Sequence, residues 1–182
     1  MKSIVLCVCL AASLAGVSSA QVGRGKAERP DLSGTWELDR AASQFGGARS
    51  IWKNNTTLVI THRDPELRVT RTLTLGDGRR ETKELVYYTD GRKETNPMAF
   101  GAGRFETQTK WEGGKVVTYA SYGPPSRRFA GDWSDATFKW RLSDDGRTLT
   151  QTILSSMRPS VGPSSVADTI NSEVKLVYRR VG

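Results

Sequence analysis

The chain has 182 residues, with 27 lysines and arginines against 19 aspartates and glutamates, a formal net charge of +8. This length suits one domain with a sizeable core. The basic excess is scattered in pairs such as Arg79-Arg80 and Arg127-Arg128, which favours solubility and weak attraction to anionic surfaces. Because no nucleic-acid-binding motif accompanies the charge, we expect no nucleic-acid partner.

The first 20 residues have the pattern of a secretory signal peptide. A lysine at position 2 precedes an apolar run, Ile4–Ala15, and small residues lead to a cleavage point after Ala20. The run is too short to cross a bilayer stably, which takes roughly 20 apolar residues. We therefore expect an exported protein, periplasmic or extracellular. The predicted division is 1–20 as signal peptide, 21–31 as flexible lead and 32–181 as the folded domain.

Metal and enzyme chemistry have little support in the sequence. Both cysteines, Cys7 and Cys9, lie in the predicted leader, so the mature chain has no disulfide, thiolate nucleophile or cysteine metal site. His62 is the only histidine, and we expect it at a strand end in a structural or exposed role. No G-x-S-x-G elbow is present, and the clustered carboxylates lie in predicted turns. The sequence thus predicts no metal, no cofactor and no catalytic residue.

Two-residue alternation of apolar and polar side chains runs through most of the chain. It is clearest in the hairpin Thr137–Leu154, where Phe138, Trp140 and Leu142 alternate with basic residues and Asp145-Gly146 forms the turn. Such alternation places one set of side chains on a buried sheet face. The predicted strands are 32–38, 56–62, 67–75, 80–89, 93–95, 105–111, 115–121, the two strands of 137–154, and 171–180.

These short strands, with almost no helical periodicity, predict an all-β fold: an antiparallel up-and-down β-barrel of 8–10 strands, or a sandwich. We favour the barrel because pairing the first strand with the last would remove the exposed edges of an open sheet. If the weak strand at Lys93–Thr95 is real, the short turns gather at one end, the floor. Most of the long connections then surround the other end, the mouth, where recognition usually lies.

Three motifs resemble the lipocalin-like (calycin-type) barrels, specifically small secreted bacterial ones. They are Gly34-Thr35-Trp36 on the first strand, the WRLSDDGRTLT hairpin, and the ending Val177-Tyr178-Arg179-Arg180. The resemblance covers roughly residues 32–180. It implies that a basic residue of the last strand lies over the first-strand tryptophan. By strand parity Arg180 is that residue for Trp36, in a structural cation–π contact.

Arg71 is the single charge on the apolar side of the strand Leu67–Leu75. A buried arginine needs a partner or a wet cavity. One interpretation is a bulge that turns Arg71 outward. The other is an arginine inside the barrel that binds an anionic head group.

Further candidate ligand-binding residues are aromatic. Side chains predicted to point inward from different strands either fill the core or line a cavity: Tyr87, Trp111, Tyr119, Trp140 and Tyr178. At the mouth, Tyr122, Arg127 and Phe129 form the tip of a long loop that is either solvated surface or a lid or docking patch.

Three hypotheses for function remain open. The first is a non-enzymatic binding protein that holds a small hydrophobic or amphipathic ligand, with an anionic group as one option, in a lumen of roughly 300 Å³ or more. The second is an interaction module with a filled barrel whose loop rim binds a partner protein or envelope polymer. The third is a cup-shaped hydrolase or isomerase with two titratable groups inside. A membrane-spanning barrel is disfavoured because residues such as Arg68, Thr70 and Lys139 occupy the strand face that would contact lipid.

Overall fold

A computed structural model describes residues 29–46, 54–98, 103–121, 132–158 and 170–182. The predicted leader, 1–20, and the loop residues Tyr122, Arg127 and Phe129 lie outside these ranges. The described residues form ten antiparallel strands: β1 (Gly34–Leu38), β2 (Asn55–Arg63), β3 (Glu66–Thr74), β4 (Arg80–Tyr88), β5 (Asp90–Pro97), β6 (Arg104–Glu112), β7 (Lys115–Ser121), β8 (Asp132–Leu142), β9 (Thr148–Arg158) and β10 (Ile170–Val181).

The strands form one sheet that rolls into a nearly closed barrel, in the order β4-β3-β2-β1-β10-β9-β8-β7-β6-β5. The prediction that the first and last strands pair is confirmed, because β1 and β10 are antiparallel neighbours with Trp36 opposite Arg180. The weak strand predicted at Lys93–Thr95 is also confirmed, as part of β5. The all-β up-and-down architecture therefore follows the sequence pattern.

Closure is incomplete at one place that the sequence did not indicate. The two ends of the strand order are β4 and β5, consecutive strands joined through Thr89. In the described residues these two strands have no backbone ladder between them, although β4 pairs with β3 and β5 with β6. The sequence analysis expected that pairing β1 with β10 would remove the sheet edges. The edges remain, and they lie at β4 and β5, in the middle of the chain.

The core consists of side chains at the inward positions of the strands. In β2 and β3 buried and more exposed residues alternate, as the two-residue period predicts. Leu58, Leu67, Leu149 and Leu176 are fully buried. Each such leucine stabilises the fold by about 1.5–3 kcal/mol relative to an exposed one.

Arg180 and Trp36 join the two ends of the chain at the floor. The guanidinium carbon of Arg180 lies 4.3 Å from the centroid of the buried Trp36 ring, which is the arrangement that the sequence predicts. Arg180 also donates to the carbonyl oxygens of Ser33 and Gly146, both at 2.8 Å. Gly34 has φ +141°, and a Cβ there would lie 2.6 Å from Arg180 Nη1, so glycine makes room for the arginine.

Candidate functional site

Arg71 points into the barrel. It lies in unbroken register between Leu58 on β2 and Lys83 on β4, and its side chain is 5% exposed. No bulge interrupts β3, so the interpretation in which Arg71 turns outward is wrong. A guanidinium stays charged at any physiological pH, and an ion inside a low-dielectric interior is costly unless polar groups surround it.

Polar atoms from four other strands are buried in the barrel wall. Among the described residues, no hydrogen-bond partner is found for Thr56 Oγ1, Trp140 Nε1, Gln151 Oε1 or Tyr178 Oη. A buried polar atom without a partner costs about 1–3 kcal/mol. Since their strands surround the lumen, a polar guest bound there could supply the missing partners, whether water or the head group of a ligand.

Tyr178 is a neutral donor in this environment. It is completely buried, and burial raises the pKa of its hydroxyl to about 12, against a smaller opposite effect of the Arg71 charge. The indole N–H of Trp140 is a donor only, and the guanidinium of Arg71 has five N–H donors. A set in which donors predominate suits an anionic oxygen better than it suits a cation.

Lys83 adds a second cation to the same wall. It occupies the position directly opposite Arg71 on the neighbouring strand, on the inward side. Like charges directly opposite each other in a sheet destabilise it, by about 0.2–1 kcal/mol. The half-buried Lys83 reaches across to donate from Nζ to the carbonyl oxygen of Met98, at 2.8 Å. Two adjacent inward cations are an arrangement that an anion would relieve.

A second polar group lies on β5, β6 and β7. Thr107 and Thr109 donate to Glu94 Oε1 at 2.9 and 3.2 Å, and Thr118 lies 2.9 Å from the Thr109 hydroxyl. Because the single hydroxyl proton of Thr109 is used on Glu94, Thr118 donates to Thr109. Burial raises the pKa of Glu94, and the two threonine hydroxyls partly oppose that shift.

Trp111 and His62 belong to the floor rather than to the Arg71 site. Trp111 Nε1 donates to Asp64 Oδ1 at 2.9 Å, and its ring lies 5.7 Å from the imidazole of His62. The side chain of His62 is buried, and its Nδ1 accepts the backbone N–H of Leu32 at 3.4 Å. Burial lowers the pKa of His62, while the nearby carboxylates of Asp31 and Asp64 raise it by less. Of the two placements that the sequence left open, structural or exposed, the contacts of His62 agree with a side chain packed into the floor.

The aromatic predictions have different outcomes. Tyr87, Trp140 and Tyr178 are buried on inward positions. Tyr119 is 42% exposed and lies outside the barrel, where it donates to Glu112, so its predicted inward orientation is wrong. The inward residues of β7 are instead Val116, Thr118 and Ala120.

The sequence analysis missed several polar residues of the interior. Thr56, Gln151, Lys83 and Glu94 all lie on inward positions of their strands. A polar residue at an inward position was the signal that singled out Arg71, and applied to every strand it would have found Thr56 and Gln151. Within the described ranges, no three histidine, aspartate or glutamate side chains are grouped to hold a metal, and no helix there has the length and apolarity to span a membrane.

No protein-family model matches the chain, and no curated protein matches it in sequence. Solved structures do match. The REP1-NXSQ fatty acid transporter aligns with a TM-score of 0.56 and 12% identity over 83% of this chain and 96% of its own. Apo lipid binding protein 8 of Caenorhabditis elegans aligns with a TM-score of 0.55 and 15% identity over 82% and 95%. The chain has the calycin-type barrel fold.

Secretory abundant heat soluble protein 4 of Ramazzottius varieornatus shares this barrel, with a TM-score of 0.56 and 14% identity over 85% of this chain and 97% of its own. The solved structures similar to this chain thus include a fatty acid transporter as well as a protein named for heat solubility. At these identities the likeness concerns the fold alone. The lipocalin-like resemblance of the sequence is correct at the level of the fold.

Proposed function

We propose that this chain is an exported, non-enzymatic protein that binds a small, largely apolar molecule with an anionic group in the barrel lumen. The observation that carries the proposal is the buried Arg71 in a wall whose other polar atoms, such as Tyr178 Oη and Gln151 Oε1, have no partner among the described residues. The names of the structural neighbours support it: they include a fatty acid transporter and a bile-acid-binding protein complexed with cholic acid.

The two parts of such a ligand would meet different parts of the interior. The carboxylate, or an equivalent anion, would accept hydrogen bonds from Arg71, Tyr178 and Trp140, which together offer several donors to one oxygen pair. The hydrocarbon part would contact the leucine and valine side chains of the core wall. Burying a charge beside Arg71 exchanges the hydration of two ions for a paired interaction, which requires good geometry and close hydrogen bonds.

Isothermal titration with dodecanoate and dodecanol tests the anionic part of the proposal. Both probes are unbranched and have twelve carbons, and they differ at the terminal carbon, which is a carboxylate in one and an alcohol in the other. We expect the wild type to bind dodecanoate at least tenfold more tightly. We expect Arg71→Met to bind dodecanoate about 10- to 100-fold more weakly, which is the change in affinity that corresponds to the loss of one hydrogen bond to a charged group. Dodecanol binding should change little.

Arg68→Met is the matched control, because Arg68 lies on the same strand three residues before Arg71 but faces solvent and pairs with Glu66 and Glu84. It should bind both probes like the wild type. Tyr178→Phe should weaken dodecanoate binding without weakening dodecanol binding, since it removes only a hydroxyl. Equal affinity of wild type and Arg71→Met for dodecanoate would refute the anion site. No binding of either probe would refute lumenal binding of such chains.

Export is part of the proposal and has its own test. Expression of the full chain in a bacterial host, followed by mass spectrometry of the periplasmic and culture fractions, should recover a protein that begins at Gln21. A chain that keeps residues 1–20 and stays with the cytoplasmic fraction would contradict it. The lumenal site would stand in that case, because it does not depend on the location of the protein.

A further inference from the structure

One side chain replaces a strand ladder at the open side of the barrel. Asn96 of β5 accepts the backbone N–H of Val86 at its Oδ1 and donates from Nδ2 to the carbonyl oxygen of the same residue, both at 2.8 Å. These are the donor and acceptor that a neighbouring strand would pair. The amide of Asn96 therefore satisfies the edge of β4 at a place where no backbone ladder joins β4 to β5 in the described residues.

Other side chains continue this bridge along the gap, which we call the β4–β5 seam. The Glu94 carboxylate accepts the backbone N–H of Tyr88, and Lys83 Nζ donates to the carbonyl oxygen of Met98 at 2.8 Å. Asn96 Nδ2 also donates to Thr107 Oγ1 at 3.0 Å, so the bridge is anchored to the polar group on β6. Polar side chains thus join the two edge strands on either side of Asn96.

The seam differs from every other contact between neighbouring strands in the described barrel. Elsewhere the strands are joined by backbone ladders, as between β3 and β4 or β9 and β10. Separating two such strands breaks many backbone hydrogen bonds at once, and buried backbone groups must be paired. Separating β4 from β5 requires only that a few side chains rotate to other rotamers, so the seam is the part of the wall that opens most readily.

The seam also leads toward the anion site. Lys83 belongs to the seam and stands directly opposite Arg71 on the inward side of the β3–β4 ladder. An anionic group that passed between β4 and β5 would meet Lys83 first and Arg71 next. The inner side of the seam is lined by the hydroxyl of Thr107 and the amide of Asn96, so a head group would not cross a purely apolar wall.

We infer that the β4–β5 seam is the passage by which an amphipathic ligand reaches the lumen, and that Asn96 is its latch. This inference rests on the proposed function. The latch stabilises the closed wall without contacting the bound ligand. Its loss should therefore speed binding and release by the same factor and leave the dissociation constant unchanged.

Stopped-flow kinetics with a fluorescent anionic probe, 1-anilinonaphthalene-8-sulfonate, measure both rates. We expect Asn96→Ala to raise the association and dissociation rates by about tenfold each, with Kd within twofold of the wild type. Thr72→Ala is the matched control. It removes a 3.1 Å hydroxyl contact between Thr72 and Thr82 on β3 and β4, where the backbone ladder remains, and both rates should stay unchanged.

Amide hydrogen exchange of the wild type is the second measurement, and it holds even if Asn96→Ala does not fold. The N–H groups of Val86 and Tyr88 point into the seam, whereas those of Leu85 and Tyr87, one residue along, point toward β3. We expect the first two to exchange by local opening, at least tenfold faster than the second two. The difference should persist under conditions in which the whole chain stays folded.

The outcomes separate the latch from its alternatives. Unchanged rates in Asn96→Ala would show that ligands pass elsewhere, such as through the mouth, and would overturn the inference. A change in Kd carried by the dissociation rate alone would make Asn96 a ligand contact, which also overturns it. Equal exchange of the four amides would show that the seam does not open by itself. If the probe binds with an affinity that depends on Arg71 while the rates ignore Asn96, the proposed function stands and the passage fails.

Discussion

Replacing Arg180 by methionine should destabilise the barrel far more than replacing its neighbour Arg179. Arg180 is half-buried, with two hydrogen bonds of 2.8 Å to the carbonyl oxygens of Ser33 and Gly146 and its guanidinium 4.3 Å above Trp36. A hydrogen bond from a charged donor contributes about 1.5–3 kcal/mol and a partly exposed cation–π contact about 0.5–1 kcal/mol. Methionine keeps the hydrocarbon stem, so the lower ends of these ranges apply, and Arg180→Met should reduce the free energy of unfolding by about 3.5 kcal/mol.

Arg179 is the matched control for that measurement. Its side chain is 57% exposed and binds Asp39 at 3.1 Å, so Arg179→Met should reduce the free energy of unfolding by less than about 1 kcal/mol. Urea unfolding followed by tryptophan fluorescence measures both, because Trp36 reports directly on the contact. Equal unfolding midpoints for the two variants would refute the reasoning that Arg180 joins the first and last strands.

Three further measurements follow from the same geometry and from the pKa shifts. Gly34→Ala should reduce the free energy of unfolding by more than a typical glycine-to-alanine change, because a Cβ would lie 2.6 Å from Arg180 Nη1 and φ is +141°. A urea unfolding midpoint equal to that of the wild type would contradict this. The folded pKa of Glu94 is raised above 4.5, so the folded state holds the proton more tightly and the wild type should lose stability as pH rises through that raised pKa. Glu94→Gln should flatten this dependence and Glu81→Gln, on the exposed end of β4, should not. The folded pKa of His62 is lowered below 6.5, so the free energy of unfolding should fall as the pH drops through 6.5. Because His62 is the only histidine of the chain, its imidazole gives a single titrating set of NMR signals. A titration midpoint at or above 6.5 would rule out the shift.

Much of the fold could be predicted because strand alternation is a local property. A residue's position within a strand determines which face it occupies, so Leu67, Val69 and Arg71 share the inward side once β3 is recognised. The same parity extends along β10 from Tyr178 to Arg180, which placed the arginine opposite Trp36. These predictions needed no knowledge of which strands are neighbours beyond the closure of the first strand with the last.

Tyr119 shows where local pattern fails. The strand KVVTYAS has apolar residues on both of its faces, so a period of two does not choose between them. The register with the neighbouring strands chooses the face. Thr118 lies opposite Thr109 on β6 and Phe138 on β8, which are inward residues. Thr118 therefore points inward, and its neighbour Tyr119 points outward. A one-residue ambiguity of this kind reverses every orientation in the strand.

By itself the sequence determined the strands and the direction of most side chains, because each depends on residues close together in the chain. It left Arg71 between an outward and an inward orientation, and the unbroken register of β3 decides for the inward one. Only the tertiary structure decided where the barrel stays open and which polar groups meet. The position of the β4–β5 seam depends on the pairing of all ten strands together, because the ladder ends where the last of these pairings ends, and no strand's own pattern shows that place. In the sequence Asn96 and Glu94 are ordinary polar residues of a short strand. In the structure they accept the backbone N–H groups of Val86 and Tyr88 and so connect β5 to β4, which no backbone ladder does in the described part of the chain.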